Sequence, residues 1–239
     1  MSAAARQIDQ PDYSIAETEI AGVRLVLDPA GVAFLPAERV LVVSDLHLEK
    51  GSSFARRGVF LPPYDTSATL AMLARMVALY DPAIVVSLGD SFHDDEGAER
   101  LPSQATGVIA AIARGREMIW IAGNHDPSFG GGLPGFAAQE IAIAGLTFRH
   151  VPARGAAGAG EIAGHLHPSA RIVRRGRSVR RPCFAADGAR MIMPSFGVFT
   201  GGLNVLDRAF AGLFDLPSLT AFMTGADRIY PIARRHLCG

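Results

Sequence analysis

Five short segments of the 239-residue chain hold six of its seven histidines. They are Asp45-Leu46-His47, Gly89-Asp90 with His93 three residues on, Gly123-Asn124-His125-Asp126, His150, and Gly164-His165-Leu166-His167. Imidazole, carboxylate and carboxamide together suit borderline divalent metals such as Mn, Fe, Zn or Co, whereas calcium takes an all-oxygen shell. Seven or eight ligand candidates exceed what one tetrahedral site uses, and they suffice for two ions sharing a carboxylate. Two ions roughly 3.5–4 Å apart form a clamp for in-line attack on a phosphoryl group.

Each segment alone has a plainer explanation. An Asp after a strand often serves a turn, Gly-Asn-His-Asp is a good turn sequence, and a lone His150 is most simply a partly buried side chain. Gly-His-x-His is more demanding, because two histidines at i and i+2 are uncommon without a metal. The set is persuasive because of what precedes its members. Val40–Val43, Ile84–Leu88, residues 118–122, 146–149 and 161–163 are short apolar or alternating runs of strand type, and each leads into one motif. The carboxyl ends of neighbouring strands are where α/β sheets build sites. Asp45 and His47 point the same way if the chain is still extended there.

Between the first strands lie helical spacings. Residues 66–80 place apolar side chains at 70, 73, 77 and 80 with Asp65 or Thr66 as cap, and Ser103–Ala113 reads as a second helix. Residues 20–34 predict a hairpin around Pro29-Ala30-Gly31. The second half is richer in strands, at 146–149, 161–163, 170–174, 180–185 and 189–193, with a Gly/Ala loop over 155–160. Alternating strands and helices followed by a strand-rich half predict one α/β domain over 1–239 with two packed sheets, and residues 1–13 as a frayed tail.

Composition narrows the class. A hydrophobic share of 49% supports a large core, and 23 basic against 23 acidic residues give no overall attraction to nucleic acid or anionic membrane. No apolar run reaches about 18 residues, so no membrane partner is expected. Two cysteines without a CxxC fit reduced thiols in a cytoplasmic protein.

The ordered motifs resemble those of the calcineurin-like metallophosphoesterase superfamily across residues 41–168. That resemblance implies a four-layer α/β/β/α sandwich of two mixed β-sheets flanked by helices. It also implies a metal held by Asp45, His47, Asp90 and His167, and a second held by Asp90, Asn124, His150 and His165, with Mn the expected ion. Asp90 would bridge, a metal-bridging hydroxide would attack phosphorus in line, and His125 would act as acid or charge stabiliser, with His93 and Asp126 completing the catalytic group. Protein phosphatases of the superfamily carry an acidic residue where this chain has His93. Its double-strand-break nucleases carry His within a Gly-Asp-x-Phe-His sequence, which favours a phosphodiesterase. The segments DLHLEKG (45–51), FARRG (54–58), RPCF (181–184) and PSFGVFTGGLN (194–204) resemble the bacterial ligase-associated metallophosphoesterases. That group implies DNA repair work and association with a DNA ligase and helicase. The alternatives are a phosphomonoesterase acting on small metabolites, and a non-catalytic metal-binding partner.

Arginine outnumbers lysine 22 to 1, and six arginines fall between Arg171 and Arg181. The run reads as a solvated hairpin turning at Gly176, with a phosphate-contact surface as the alternative. Arg56 and Arg57, nearer the first motif, are the expected holders of a substrate phosphate. The apolar, Gly-rich residues 196–204 fit a site wall, core packing or a subunit contact, and a homo-oligomer is expected.

Overall fold

The computed structural model describes residues 13–56, 58–59, 64–126, 132–155 and 160–239. Most of the expected 1–13 tail, Arg57 and the middle of the Gly/Ala loop lie outside the described residues. The first sheet begins as an antiparallel run of β1 (Ala16–Ile20), β2 (Val23–Leu27) and β3 (Ala33–Leu35) leading into β4 (Val40–Val43). It continues in parallel through β5 (Ile84–Leu88), β6 (Glu117–Ile121) and β7 (Phe136–Ala138), in sequence order. All four residues of β4 and the last four of β5 and β6 are buried. A strand covered on both faces needs such continuous apolar runs.

Among the described residues, α2 (Asp65–Tyr80) and α3 (Ser103–Ala113) cover one face of this sheet, and α1 (Lys50–Arg56) lies against α2. Leu70, Leu73, Met76 and Val77 of α2 and Ile109 and Ile112 of α3 pack on Leu41, Val43, Val85, Met118 and Trp120. The opposite face, with Leu27, Val42, Val86 and Ile121, packs on Leu146, Phe148, Ile162, Phe184 and Met191 of a second sheet. That sheet comprises β8 (Glu140–Ile143), β9 (Leu146–Arg149), β10 (Glu161–Ala163), β11 (Pro168–Arg174), β12 (Arg177–Ala186), β13 (Arg190–Ile192), β14 (Leu203–Asn204), β15 (Thr220–Thr224) and β16 (Ile229–Ala233). Its order is β14-β11-β12-β13-β10-β9-β8, with β15 also on β12 and β16 on β15. The outer face, including Ala170, Cys183, Ala185 and Ile192, lies under Val205, Phe210, Leu213, Phe214 and Leu219. Among the described residues this fourth layer is built from a 3-10 turn (Arg208–Phe210) and loops. The expected α/β sandwich with two mixed sheets is therefore present.

Two local expectations change. The residue 20–34 region holds two turns, not one, because Ala21 (φ 48°) and Gly22 (φ 83°) close an earlier β1–β2 hairpin. The α2 cap also differs: Asp65 is the first helical residue, and Tyr64 at the N-cap makes no side-chain bond. The polar atoms expected to cap are used elsewhere. Asp65 Oδ2 accepts from the Gly51 amide at 2.9 Å, and Thr66 Oγ1 accepts from the Glu49 amide at 2.8 Å and donates to Glu49 Oε1. Both side chains tie α2 to the segment that follows the first motif.

Candidate metal centre

Strands β4 and β5 and strands β9 and β10 end at one edge of the sandwich, and their motifs are knitted by main-chain bonds. The amides of Asp45, His47 and Leu48 donate to the carbonyls of Gly89, Asp90 and Ser91 at 3.3, 2.9 and 2.9 Å. The amides of Phe196 and Gly197 donate to Ser44 and Asp45, so the Gly-rich segment forms a wall beside the first motif. Phe196 itself is core. A side chain at Gly123 would collide with the main chain and carboxylate of Asp90, and one at Gly164 with Ser44 and Asp45. Glycine there permits the close approach that assembles the site.

The chain past β4 is not extended as the spacing suggested. Asp45, His47, Asp90, His165 and His167 adopt left-handed conformations with φ of 53°, 45°, 45°, 70° and 44°. Such residues cost about 1–3 kcal/mol each and persist only where surrounding contacts over-determine them. Here the bonds between the motifs supply that constraint, and the turned backbone aims the side chains inward.

Two groups result. Asp45, His47 and His167 place ligand atoms within 4.8 Å of one another, and so do Asp90, His150 and His165. In the first, the Nε2 atoms of His47 and His167 face each other at 3.4 Å, and His167 Nε2 lies 3.0 Å from Asp45 Oδ1. In the second, His150 Nε2 lies 3.4 Å from Asp90 Oδ1 and 3.2 Å from His165 Nδ1. The far nitrogens of two rings are fixed: His150 Nδ1 lies 2.8 Å from the Leu88 carbonyl, and His167 Nδ1 3.2 Å from that of Gly201. A ring that donates from Nδ1 to a carbonyl presents its Nε2 lone pair, as a metal-ligating histidine does. Asp45 is fully buried, and its Oδ1 has no hydrogen-bond donor. An unsatisfied buried carboxylate oxygen is costly, and facing lone pairs repel. A divalent cation resolves both, so the residues fit two metal ions.

The charge states agree. Burial pushes the His47 imidazole down to about 4 against the pull of Asp45, and burial beside His150 also lowers His165. For His150 and His167 burial acts downward too, but the carboxylates of Asp90 and Asp45 outweigh it and raise both rings. Asp90 is held well below the usual carboxylate range, because His150 and the His125 amide outweigh burial. In each group burial thus pushes one imidazole toward its neutral form, while a carboxylate draws the other toward protonation, and a metal ion competes with that proton for the ring nitrogen.

The other expected site residues fall around these groups. Asn124 and His125 are exposed at the turn after β6. The His125 amide donates to Asp90 Oδ1 at 2.9 Å, and its Nε2 lies 3.9 Å from Asp90 Oδ2. Its ring stacks on that of His93, with centroids 5.5 Å apart and planes 13° apart, and both meet the His47 ring edge-on. Arg56 is paired with Glu96 in a cleft also lined by Asp94 and Asp95, surroundings that repel a phosphate.

Asp126 faces inward. Its Oδ2 accepts from the amides of Ser91 and Phe92 at 2.8 and 3.1 Å, and its Oδ1 from Gly123 at 3.1 Å. Burial lifts its carboxyl to about 7, opposed by the Phe92 amide and reinforced by the charge of Asp90. The side chain clamps the β5 and β6 motifs together. Asp126→Ala strips the acceptor from three buried amides, each worth about 1–3 kcal/mol. We expect its denaturation midpoint to fall by the equivalent of about 3 kcal/mol or more. A variant that unfolds like the wild type and loses only turnover would return Asp126 to the reacting atoms.

The sequence pattern of the family described as calcineurin-like phosphoesterase matches residues 38–178, which span every motif above. The chain belongs to that family. The nuclease MPE of Pseudomonas putida superposes with a TM-score of 0.69 at 27% identity, covering 92% of this chain and 100% of its own. YfcE, a phosphoesterase from E. coli, covers 81% of this chain and 98% of its own at 17% identity with a TM-score of 0.40, too remote to add to the case. No curated protein matches the chain. Among the described residues no helix is long and apolar enough to cross a membrane.

If the two groups bind separate ions, His47→Ala or His167→Ala empties mainly the site that includes Asp45. Metal analysis of the purified variants is expected to give about one tightly held ion per chain. Two retained ions would break the division.

Proposed function

We propose that the protein is a binuclear, Mn-dependent phosphodiesterase acting on nucleic acid, of the ligase-associated kind and working in DNA repair. The observation that carries the reading is the placement of two imidazoles, the exposed His125 and the half-buried His93, directly beside the paired Asp/His groups. Likeness to a nuclease over the full length of that relative supports the substrate class. Asp45, His47, Asp90 and His167 would hold one ion, and Asp90, Asn124, His150 and His165 the other. Bound there, two ions supply Lewis-acid activation of water and charge neutralisation at phosphorus. His125 is close enough to Asp90 to neutralise developing charge on the phosphate or to protonate the departing oxygen. Asp126 holds the turn that carries Asn124 and His125 in register with Asp90. A homo-oligomer and a ligase or helicase partner belong to the same reading, and sedimentation with and without a purified ligase tests them.

His93 sets the expected preference for diesters. Both ester classes release an oxyanion that the stacked His93–His125 pair can protonate or neutralise, so the preference rests on His93 standing where the superfamily's nucleases carry His and its protein phosphatases an acidic residue. We expect kcat/KM with Mn²⁺ to favour bis- over mono-nitrophenyl phosphate, and His93→Ala to lower the diester rate selectively. His93→Asp shifts preference toward the monoester. A wild type that prefers the monoester, or variants losing both activities in proportion, would remove the diester assignment.

A further inference from the structure

A second feature adjoins the metal centre on the side of His167. A cleft of about 330 Å3 is lined by His167, Ser169, Arg180, Thr200, Gly201 and Gly202, among others. The loop at its floor faces two ways. The Gly201 carbonyl meets His167 Nδ1 at 3.2 Å, and the Gly202 carbonyl accepts from Arg180 Nη2. Arg180 Nε donates to Ser169 Oγ at 2.9 Å. The guanidinium is therefore fixed beside a candidate metal ligand with two of its five N–H donors used.

Its charge environment is one-sided. Arg180 lies directly opposite Arg171 in the β11–β12 hairpin, a like-charge pair that costs stability. Arg171 Nη2 donates to the Gly239 oxygen. Among the described residues, none of Arg174, Arg175, Arg177, Arg180 and Arg181 pairs with an Asp or Glu carboxylate, although arginines elsewhere do. The hairpin expected from the sequence is present, and these five charges are left for an anion from outside. Next to the lining residue Thr200 stands Phe199, 54% exposed and held at φ 63°. An exposed aromatic in a left-handed conformation is a genuine outlier. The Lys50 ammonium donates to its carbonyl at 2.9 Å and fixes that turn.

We infer that this cleft is a strand-binding subsite: Arg180 holds the phosphate neighbouring the scissile one, and Phe199 stacks on an unpaired base. A fork of free N–H donors matches a phosphate, and aromatic stacking takes any base not already paired in a duplex. The occupant is a single-stranded segment of nucleic acid, which deepens the phosphodiesterase reading and rests on it for the identity of the scissile bond.

Two measurements on the metal-loaded protein decide it. In the first, kcat/KM is compared on a DNA strand of about ten nucleotides and on bis-nitrophenyl phosphate, which has no second phosphate. Arg180→Ala and Phe199→Ala are each expected to lower the strand rate about tenfold or more beyond any fall on the small diester. Phe199→Trp restores it. In the second, binding of the fluorescent strand is followed against salt on a His125→Ala background, so that the strand survives. Loss of one phosphate contact by Arg180→Ala lowers the slope of log K on log salt by about 0.7, whereas Phe199→Ala weakens binding without changing the slope. Equal losses on both substrates, loss of a metal ion from Arg180→Ala, or an unchanged slope would overturn the subsite. Wild-type protein that cleaves neither substrate would sink the phosphodiesterase reading alone, since the binding arm still decides the subsite.

Discussion

Asp90→Asn is expected to lower turnover about a thousandfold or more at saturating Mn²⁺, far beyond the loss in Asn124→Ala. Asp90 is 3% exposed, follows β5, and carries the main-chain carbonyl that fixes His47. Its carboxylate lies 3.4 Å from His150 Nε2 and 3.9 Å from His125 Nε2. In the proposed centre it would be the anion shared by both ions, so the amide would remove charge from both at once. Several kcal/mol of charge stabilisation corresponds to about three decades of rate. Asn124 would serve one ion, and its replacement leaves the carboxylates in place. The check is kcat for both variants across a metal titration, with metal content measured on the same samples. Equal residual rates at saturation would show that Asp90 is not shared.

His125→Ala is expected to keep both metals and to lose about 10²–10⁴-fold in rate on a nucleotide diester. Half of its side chain is exposed, and its ring touches the groups only at the edge, so removing it leaves the six Asp and His ligand side chains intact. The deficit should shrink on a nitrophenyl diester, whose departing oxyanion is already stable and gains little from a proton. Matched kcat values on the two substrates measure the difference. A deficit of the same size on both would leave charge stabilisation as the whole of the His125 contribution.

The site was legible because chemistry and strand pattern coincide. Val40–Val43 is apolar throughout and Ile84–Leu88 is apolar but for Ser87, and a motif follows each. Tertiary geometry was less legible. Nothing in Asp45-Leu46-His47 announces alternating left-handed residues, because the bonds that enforce them come from Gly89, Asp90 and Ser91, some forty residues away. The start of α2 misled for a related reason, since Asp65 and Thr66 spend their polar atoms on Gly51 and Glu49. β1 was missed because its AETEI sequence is mostly polar at a sheet edge, and β15 and β16 because their partners are distant or interrupted by Pro231. Arg180 and Phe199 gave only composition as a signal. Their placement depends on the β11–β14 pairing, which joins residues more than thirty positions apart.

Each Asp/His group takes ligands from both sheets. Asp45 and His47 follow β4 of the first, and His167 precedes β11 of the second. Asp90 follows β5 of the first, and His150 and His165 follow β9 and β10 of the second. The gap between the ligand halves is therefore set by the interior layer where Val42, Val86 and Ile121 meet Phe148, Ile162 and Met191. That layer works as a gauge block. Thinning it by a methylene or sliding one sheet over the other resets the bite of both ligand sets together, and evolution can tune the reactivity of the centre through side chains that no substrate ever meets.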